Sequence, residues 1–161
     1  MKTLLTWLGT KDIDNMDLDT HAAISAIAAK SDFQFDKIVI LSNHREEVWG
    51  RFEQFIQKKL AYAHRPKADV VVKRAHIDSP IDYHSIAKET EKWIGKLSEE
   101  AETLVVNLTS GTPAMTTLSV LIGKGKPNVR FMQVTPKNEP LNVDIPLDFS
   151  LEYTKSAARH I

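Results

Sequence analysis

Apolar residues fall into five short runs, and longer amphipathic segments separate them. The runs carry the β-branched and aromatic side chains that are typical of strands buried on both faces of a sheet. They are Thr3–Leu8, Lys37–Leu41, Val70–Val72, Thr103–Leu108 and Val129–Val134. Strands that alternate with helices are joined most simply by parallel crossovers. The pattern therefore predicts an α/β, Rossmann-like fold, with a mostly parallel central sheet of about five or six strands flanked by helices.

The first two intervening segments show apolar residues at helical spacing. The first helix is predicted to begin near Asp17 or Asp19, either of which can cap it, and to turn Ile24, Ile27 and Ala28 toward the core. The second is predicted over residues 45–62. Its core-facing stripe consists of Val48, Trp49, Phe52, Phe55, Ile56 and Leu60.

Two further helices follow the third and fourth predicted strands. One is predicted from Tyr83 to Glu100, with its start at Ser79-Pro80 or Asp82. Its inward residues are Ile86, Trp93, Ile94 and Leu97. The other is predicted to begin at Pro113, which suits a first helical turn because proline has no N–H and a preset φ. It is predicted to end near Ile122, where Gly123 and Gly125 follow.

The last part of the chain follows a looser pattern. Pro136, Pro140 and Pro146 exclude a regular central strand, whereas Leu147–Leu151 fits an edge strand. We therefore expect one domain over residues 1–150, with 151–161 as a tail or the start of a linker. That tail is compatible with a helix and has no cap at its end, which favours continuation into another domain.

Composition narrows the classes of function. The chain has 161 residues, of which 42% are hydrophobic, and this suits a single well-buried core. Lys plus Arg equal Asp plus Glu at 21 each, so no excess positive charge attracts duplex DNA or anionic lipid. The absence of cysteine excludes disulfides and thiolate chemistry. The first apolar run is too short for a signal peptide or membrane span, so we expect a cytoplasmic protein that makes no membrane contact.

The loop after the fourth predicted strand carries the first candidate site. Thr109-Ser110-Gly111-Thr112 follows the strand directly, and Pro113-Ala114-Met115 opens a helix. Gly111 allows close backbone approach, Ser110 and Thr112 offer hydroxyl groups, and the helix start presents unpaired N–H groups at a positive dipole end. Such a loop suits an anion. The spacing fits a capped helix start without any ligand equally well.

Two other loops leave the sheet at the same end. Gly9-Thr10-Lys11 follows the first strand, and Ser42-Asn43-His44 follows the second. Loops at the carboxyl ends of parallel strands share one edge of the sheet, so these residues are expected to face the same cleft if the first and fourth strands are neighbours. Gly9-Thr10-Lys11 lacks the spacing of a Walker loop or of a dinucleotide-binding loop. Neither ATP hydrolysis nor NAD binding is favoured, and we expect no cofactor.

The two glycine loops together resemble the CRISPR-associated Rossmann fold (CARF) superfamily, whose members sense cyclic oligoadenylates. The resemblance rests on Leu8-Gly9-Thr10 and on the stretch from Asn107 through Thr109-Ser110-Gly111-Thr112 to Met115, and it extends from the first predicted strand to the fifth. It implies an oligoribonucleotide ligand bound by Gly9, Thr10, Lys11 and Asn43 and by Thr109, Ser110, Gly111, Thr112 and Met115.

A looser resemblance concerns the end of the chain. Residues 147–153, with Ala157 and Arg159 beyond them, resemble the segment that joins such a domain to the ATPase of RtcR-type, enhancer-binding transcription activators. This resemblance implies a downstream ATPase or other effector domain as a partner, and control of transcription as the output.

Other sites are less well supported by the sequence. The six histidines include no H-E-x-x-H pair, so a metal site is not expected. Asp12, Asp14, Asp17 and Asp19 lack the glycine and glutamate of a calcium loop, and we interpret them as a solvated loop and helix cap. His21 and His44 could approach the cleft, although histidines at the surface are the more ordinary interpretation.

The leading hypothesis is a regulatory domain that binds a cyclic or linear oligoribonucleotide across the two-fold axis of a homodimer, each protomer supplying both loops. The fourth predicted helix is the expected interface, through Met115, Leu118, Ser119 and Ile122. One alternative is a metal-independent ring nuclease that cleaves a bound cyclic oligoadenylate, for which the sequence offers no convincing general base. Another is a partner-binding module with no ligand.

Overall fold

Six strands form one sheet in the computed structural model, which describes residues 1–146. They are β1 (Lys2–Trp7), β2 (Lys37–Ser42), β3 (Asp69–Arg74), β4 (Thr103–Asn107), β5 (Val129–Val134) and β6 (Pro140–Val143). Their order across the sheet is β3-β2-β1-β4-β5-β6. Every neighbouring pair is parallel except β5 and β6, which are antiparallel. The predicted α/β class with a mostly parallel sheet is confirmed.

β6 was not predicted from the sequence. It forms a hairpin with β5, in which Pro140 pairs with Val134 at the first position of the strand. Proline is tolerated there because an edge strand does not need every N–H for the ladder. The edge strand predicted at Leu147–Leu151 lies outside the described residues. The predicted boundary at residue 150 and the tail 151–161 also lie outside them.

Five helices connect the strands within the described residues. They are α1 (Thr10–Asp17), α2 (Ala23–Lys30), α3 (Trp49–Tyr62), α4 (Tyr83–Glu100) and α5 (Pro113–Gly123). α4 agrees with its prediction at both ends, and the carboxyl group of Asp82 accepts a hydrogen bond from the Ser85 N–H as its N-cap. α3 follows a 3₁₀ turn at Glu46–Val48. Within residues 1–146, no helix combines the length and the apolar composition needed to cross a bilayer.

The prediction for the first helix was wrong at its start. Two short helices replace the single one: α1 begins at Thr10, directly after β1, and α2 begins at Ala23. Asp17 is the last residue of α1, and Asp19 lies in the connection with a φ of 55°. α1 was missed because it is mostly polar and exposes most of its surface, so it lacks the apolar periodicity on which helix prediction relies.

The sheet separates two apolar cores. Alternate residues along each strand point to opposite faces, so Leu4 packs with α2 and α3 on one face, while Leu5 packs with α4 and α5 on the other. The predicted inward residues of α2 and α4 are all buried. On α5, however, Met115 and Ser119 are buried within their own chain, at 3% exposed each, so their predicted place in an interface is wrong.

The direction in which the chain adds strands reverses between β1 and β4. From β1 the chain builds outward through β2 to β3, then returns to place β4 on the other side of β1. When the connections after two neighbouring parallel strands run to opposite sides of the sheet, they leave a crevice at the carboxyl ends of those strands. The topology therefore places the loops after β1 and β4 at the two sides of one crevice.

Candidate functional site

The loops after β1 and β4 meet through their backbones. β1 and β4 are paired in parallel, so both loops leave the sheet at the same edge. A Cβ atom on Gly9 would lie only 3.1 Å from the Gly111 nitrogen and 3.0 Å from Asp12 Oδ2. Any larger residue at position 9 would therefore push the two loops apart.

Together the loops border a cleft of about 740 Å³. This volume lies within the range of clefts that bind small molecules. All nine sequence-predicted site residues line it, and their role in binding a ligand stays a prediction. The other lining residues are Leu8, Asp12, Asn15, His21, Ala22, Ala23, His44, Pro80, Val134, Thr135, Pro136 and Asn138.

Asp12 anchors the floor of this cleft. Its side chain is buried, at 3% exposed, and its two carboxylate oxygens accept hydrogen bonds from backbone groups of different helices. Gly9 N–H donates to Oδ2 at 3.0 Å, and Ile24 N–H donates to Oδ1 at 3.1 Å. The interpretation of Asp12 as a solvated residue was wrong: this carboxylate binds the starts of α1 and α2 together.

Burial also changes the acidity of Asp12. It raises the pKa of this carboxyl above its ordinary value of 3.8, because the charged form is stabilised less in the interior than in water. The hydrogen bonds from Ser110, Ile24 and Gly9 and the charge of His44 oppose this effect in part. The site therefore contains a buried acid in direct contact with both glycine loops.

A buried chain of polar side chains continues from Asp12 into the sheet. The Ser110 hydroxyl is hydrogen-bonded to Asp12, and it also accepts from Asn107 Nδ2 at 2.9 Å. Asn107 Nδ2 donates to Thr6 Oγ1 as well, at 3.0 Å, and Asn107 Oδ1 accepts from the Thr109 N–H at 2.9 Å. These bonds hold the loop after β4 in place relative to β1.

The hydroxyl groups of the loop after β4 are already engaged within the protein. Thr112 Oγ1 donates to the Pro80 carbonyl at 2.6 Å and accepts from the Met115 N–H at 3.3 Å, as the N-cap of α5. Thr109 Oγ1 accepts from the Val134 N–H at 2.8 Å. These contacts leave the backbone of the loop, rather than its hydroxyls, as the group best able to meet a ligand.

Several donors at the cleft remain available. The N–H groups of Thr10, Lys11 and Gly111 have no acceptor within residues 1–146. The Lys11 side chain is exposed and forms no ion pair with a described residue. Asn43 is half-buried, and its amide has no hydrogen-bond partner in the same part of the chain. The cleft thus offers donors and one cation, a combination that suits a phosphate-bearing ligand.

The sequence left the approach of His21 and His44 to the cleft open, and it did not identify the other lining residues. His21 enters from the connection between α1 and α2, and His44 follows β2. Ala22 and Ala23 bring the start of α2 to the cleft, and the turn 135–138 of the β5–β6 hairpin closes one side. The position of His44 after a strand was a usable signal, but the turn could not be placed without β6. Within residues 1–146, no group of three or more His, Asp and Glu side chains is arranged to hold a metal ion.

Comparisons of sequence identify no relative: no protein-family model matches the chain, and no curated protein matches it. Comparisons of structure do find neighbours. Csm6 from Enterococcus italicus, solved bound to cyclic hexa-2′-fluoro-hexa-dAMP, matches with a TM-score of 0.76 and 19% identity over 98% of this chain. The match covers 44% of the Csm6 chain.

Two further neighbours are more distant. Can2 from Sulfobacillus thermosulfidooxidans, solved in complex with cyclic tetra-adenylate, has a TM-score of 0.54 at 16% identity, covering 83% of this chain and 32% of Can2. A type III CRISPR defence DNA nuclease activated by cyclic oligoadenylate has a TM-score of 0.54 at 15% identity, covering 82% of this chain and 18% of the nuclease. The chain spans less than half of each neighbour, and at these identities the likeness establishes the fold.

The first prediction concerns Gly111, which has a φ of 102°. A Cβ there would lie 3.0 Å from Met115 Sδ and 3.1 Å from Trp7 Cβ. Gly111→Ala should therefore lower the free energy of unfolding by about 1–3 kcal/mol, as expected for a non-glycine residue held at positive φ. Gly50→Ala is the matched control, because position 50 lies in α3 with open space around it. Urea denaturation of both variants measures the difference, and equal stabilities would contradict the strain at Gly111.

The second prediction concerns the pH dependence of stability at Asp12. An acid whose pKa is raised on folding holds its proton more tightly in the folded state. Its contribution to stability is therefore fully present below pH 3.8 and is lost as the pH rises through the raised pKa. The stability advantage of the parent over Asp12→Asn should accordingly be largest in acid and should shrink toward neutral pH.

Denaturation of parent and variant over this pH range tests the prediction. Asp14→Asn removes a charge from the exposed side of the same helix and serves as the control. A difference between parent and Asp12→Asn that grows as the pH rises would show that Asp12 is stabilised as a carboxylate instead.

Proposed function

We propose that this chain is a CARF-type ligand-sensing domain that binds an oligoribonucleotide, with cyclic oligoadenylate as the first candidate. The observation that carries the proposal is the cleft at the reversal point of the sheet, where two glycine loops touch and present unpaired N–H groups of Thr10, Lys11 and Gly111. Backbone N–H groups at helix starts are well suited to phosphate oxygens. The sequence resemblance points to the same ligand class as the cyclic oligonucleotides with which the structural neighbours were solved or by which they are activated.

The electrostatics of the cleft suit local binding of an anion. The chain as a whole carries no net charge, so its attraction for phosphate must come from this site. α1 and α5 both begin at the cleft, and the positive ends of their dipoles face it. Lys11 adds a mobile cation at the entrance. A ligand with several phosphates, rather than duplex DNA, fits such a confined donor set.

A symmetric dimer is the assembly that we propose for the sensor. A cyclic oligonucleotide repeats its phosphates, so two copies of the same cleft match it about a two-fold axis. Three large apolar side chains remain exposed on the α4–α5 side of the sheet: Ile81 at 72%, Tyr83 at 54% and Leu121 at 55%. They replace Met115 and Ser119 as the candidate interface, together with the half-buried Leu118 and Ile122.

We also propose what ligand binding by this domain controls. We place the protein in the cytoplasm, where oligoribonucleotide signals are made, and assign it an attached or associated effector. Control of transcription through a downstream ATPase is the specific form that the second sequence resemblance suggests. Identification of the residues encoded after Ile161 tests this assignment directly.

The third prediction isolates the phosphate contact of Lys11. Lys11→Ala should weaken binding of cyclic oligoadenylate and reduce the slope of log Kd against log salt by about 0.7, because one phosphate contact to a single strand releases that fraction of a counterion. Lys88→Ala, an exposed lysine of α4 outside the cleft, is the control and should leave the slope unchanged. Titrations at several salt concentrations give both slopes. If Lys11→Ala keeps the parental slope, its ammonium does not contact phosphate.

The fourth prediction concerns stoichiometry. Calorimetry should give one cyclic ligand per two chains, and light scattering should give a dimer. Leu121→Arg should abolish both, because a buried charge without a partner is unfavourable in an apolar interface. Leu18→Arg, at an even more exposed position just after α1, should abolish neither. A monomer that binds one ligand per chain would refute the shared cleft.

A further inference from the structure

We propose that the side-chain amide of Asn43 recognises the base of a nucleotide held in the cleft, by pairing with N6 and N7 of adenine. The inference rests on the proposed function, because a nucleotide must first bind at the glycine loops. It deepens that function by assigning the residue that distinguishes one base from another. Asn43 lines the cleft, is half-buried, and has an amide without a partner among residues 1–146.

The register of the sheet places Asn43 beside the phosphate donors. Trp7 pairs with Leu41, and the Leu8 N–H donates to the Leu41 carbonyl at 2.8 Å. Two residues further along each chain, Gly9 and Asn43 are level with one another. Neighbouring strands are about 4.8 Å apart. Asn43 therefore follows the strand next to the loop that presents the unpaired N–H groups, and the sugar of a nucleotide would lie between the two.

The hydrogen bonding between β1 and β2 stops at Asn43. After the bond from Leu8 to Leu41, the next bond of a parallel ladder would join the Asn43 N–H to the Leu8 carbonyl. That carbonyl instead accepts from Nε2 of His44 at 3.1 Å, since a carbonyl oxygen can only accept. The Asn43 N–H consequently has no acceptor within the described residues. Both polar groups of this residue, the N–H and the amide, are available to a ligand.

The residues on either side of Asn43 are fixed. Ser42 is fully buried, and its Oγ accepts from the His44 N–H at 2.9 Å and from Trp49 Nε1 at 3.1 Å. The His44 carbonyl accepts from Arg74 at 3.0 Å. The free amide is therefore carried by a backbone that is held from both sides. Such a group loses little conformational freedom when it binds a ligand, which favours specific recognition.

The polarity of the amide matches one edge of adenine. An asparagine side chain carries a C=O acceptor beside an NH₂ donor. Adenine presents its N6 amino group beside the lone pair of N7, so a single amide can accept from N6 and donate to N7. Guanine has two acceptors, O6 and N7, at the same edge. The carbonyl of the Asn43 amide would face a lone pair there, and guanine would bind less well.

The cleft also lacks a free carboxylate for the other edge of guanine among the described residues. That edge carries two donors, the N1–H and the 2-amino group, which a carboxylate can accept together. Asp12 is the one carboxylate in the described lining of the cleft, and its oxygens already accept from the N–H groups of Gly9 and Ile24. The polar groups of the cleft therefore favour adenine over guanine.

Modified rings test the contact without changing the protein. The probes are cyclic tetraadenylate and cyclic hexaadenylate, each compared with the same ring built from 7-deazaadenine or from guanine. 7-Deazaadenine keeps the N6 amino group and replaces N7 with C–H. Calorimetry on the full chain should give a Kd for the tighter adenine ring that is about 5–150-fold lower than for either analogue, the discrimination that a bidentate amide contact supplies.

Two variants then assign the discrimination to Asn43. Asn43→Ala should bind the 7-deazaadenine ring within about twofold of the parent, as expected for independent changes, and should lose its preference for adenine over that analogue. Asn43→Asp has the same shape with two acceptor oxygens, one of which would face the lone pair of N7. This variant should therefore bind the 7-deazaadenine ring more tightly than the adenine ring, a reversal that a structural role would not produce.

Three controls separate recognition of the base from phosphate contacts and from folding. Asn142→Ala removes an exposed amide of β6 outside the cleft and should keep the parental preference. Asn43→Ala should leave the slope of log Kd against log salt unchanged, because a neutral contact releases no counterion. It should also unfold at the parental urea concentration, since the amide has no partner within residues 1–146.

The outcomes distinguish this inference from the proposed function. A parent that binds the adenine and 7-deazaadenine rings equally, or the guanine ring more tightly, overturns the inference alone. An Asn43→Ala variant that weakens both adenine-type rings by the same factor also overturns it, because the amide then contacts the sugar or phosphate. A parent that binds none of the rings overturns the proposed function and the inference with it.

Discussion

The carboxylate of Asp12 is the interaction on which the rest of the site depends. A buried carboxylate is unfavourable unless its oxygens are hydrogen-bonded, and here it receives the N–H groups of Gly9 and Ile24 and the hydroxyl of Ser110. Those three donors belong to three different segments: the loop after β1, the start of α2 and the loop after β4. A single side chain thus sets the distances between the walls of the cleft.

This contact also determines which backbone donors the cleft presents. Asp12 takes up the N–H groups of Gly9 and Ile24, and the N–H groups of Thr10, Lys11 and Gly111 remain without an acceptor among the described residues. The helix starts supply positive potential that does not appear in the net charge of zero. The positive potential of these helix starts is therefore concentrated at the cleft.

The sequence predicted the layers of the fold better than the details of the cleft. Burial constrains every residue of a strand or helix, so it leaves continuous apolar runs in the strands and periodic apolar stripes in α3 and α4. Because these patterns are visible in the sequence, five strands and the α/β class were predicted correctly. The loops after β1 and β4 were found because a glycine beside a strand end is a local signal. α1, β6 and the burial of Asp12 depend on partners distant in the chain, and no local pattern encodes them.

The same reasoning applies to individual side chains of the candidate site. Ser110 and Thr112 were predicted to contact a ligand because hydroxyl groups beside a glycine suit phosphate. In the structure, the Ser110 hydroxyl is bonded to Asn107 and Asp12. The Thr112 hydroxyl is bonded to the Pro80 carbonyl. His21 was interpreted as a surface residue because histidines are ordinarily exposed. Only the meeting of the α1–α2 connection with the sheet edge brings its ring to the cleft.

The antiparallel hairpin of β5 and β6 connects one wall of the cleft to the edge of the sheet. Its turn lines the cleft, and Thr109 ties the loop after β4 to that turn through the Val134 N–H. β6 then runs back along the sheet for four residues, about 13 Å at the usual rise of a strand, and ends at Val143 near the opposite edge. Because β5 is also paired with β4, an occupant of the cleft that displaces the loop would strain the pairing of β5 with both of its neighbouring strands.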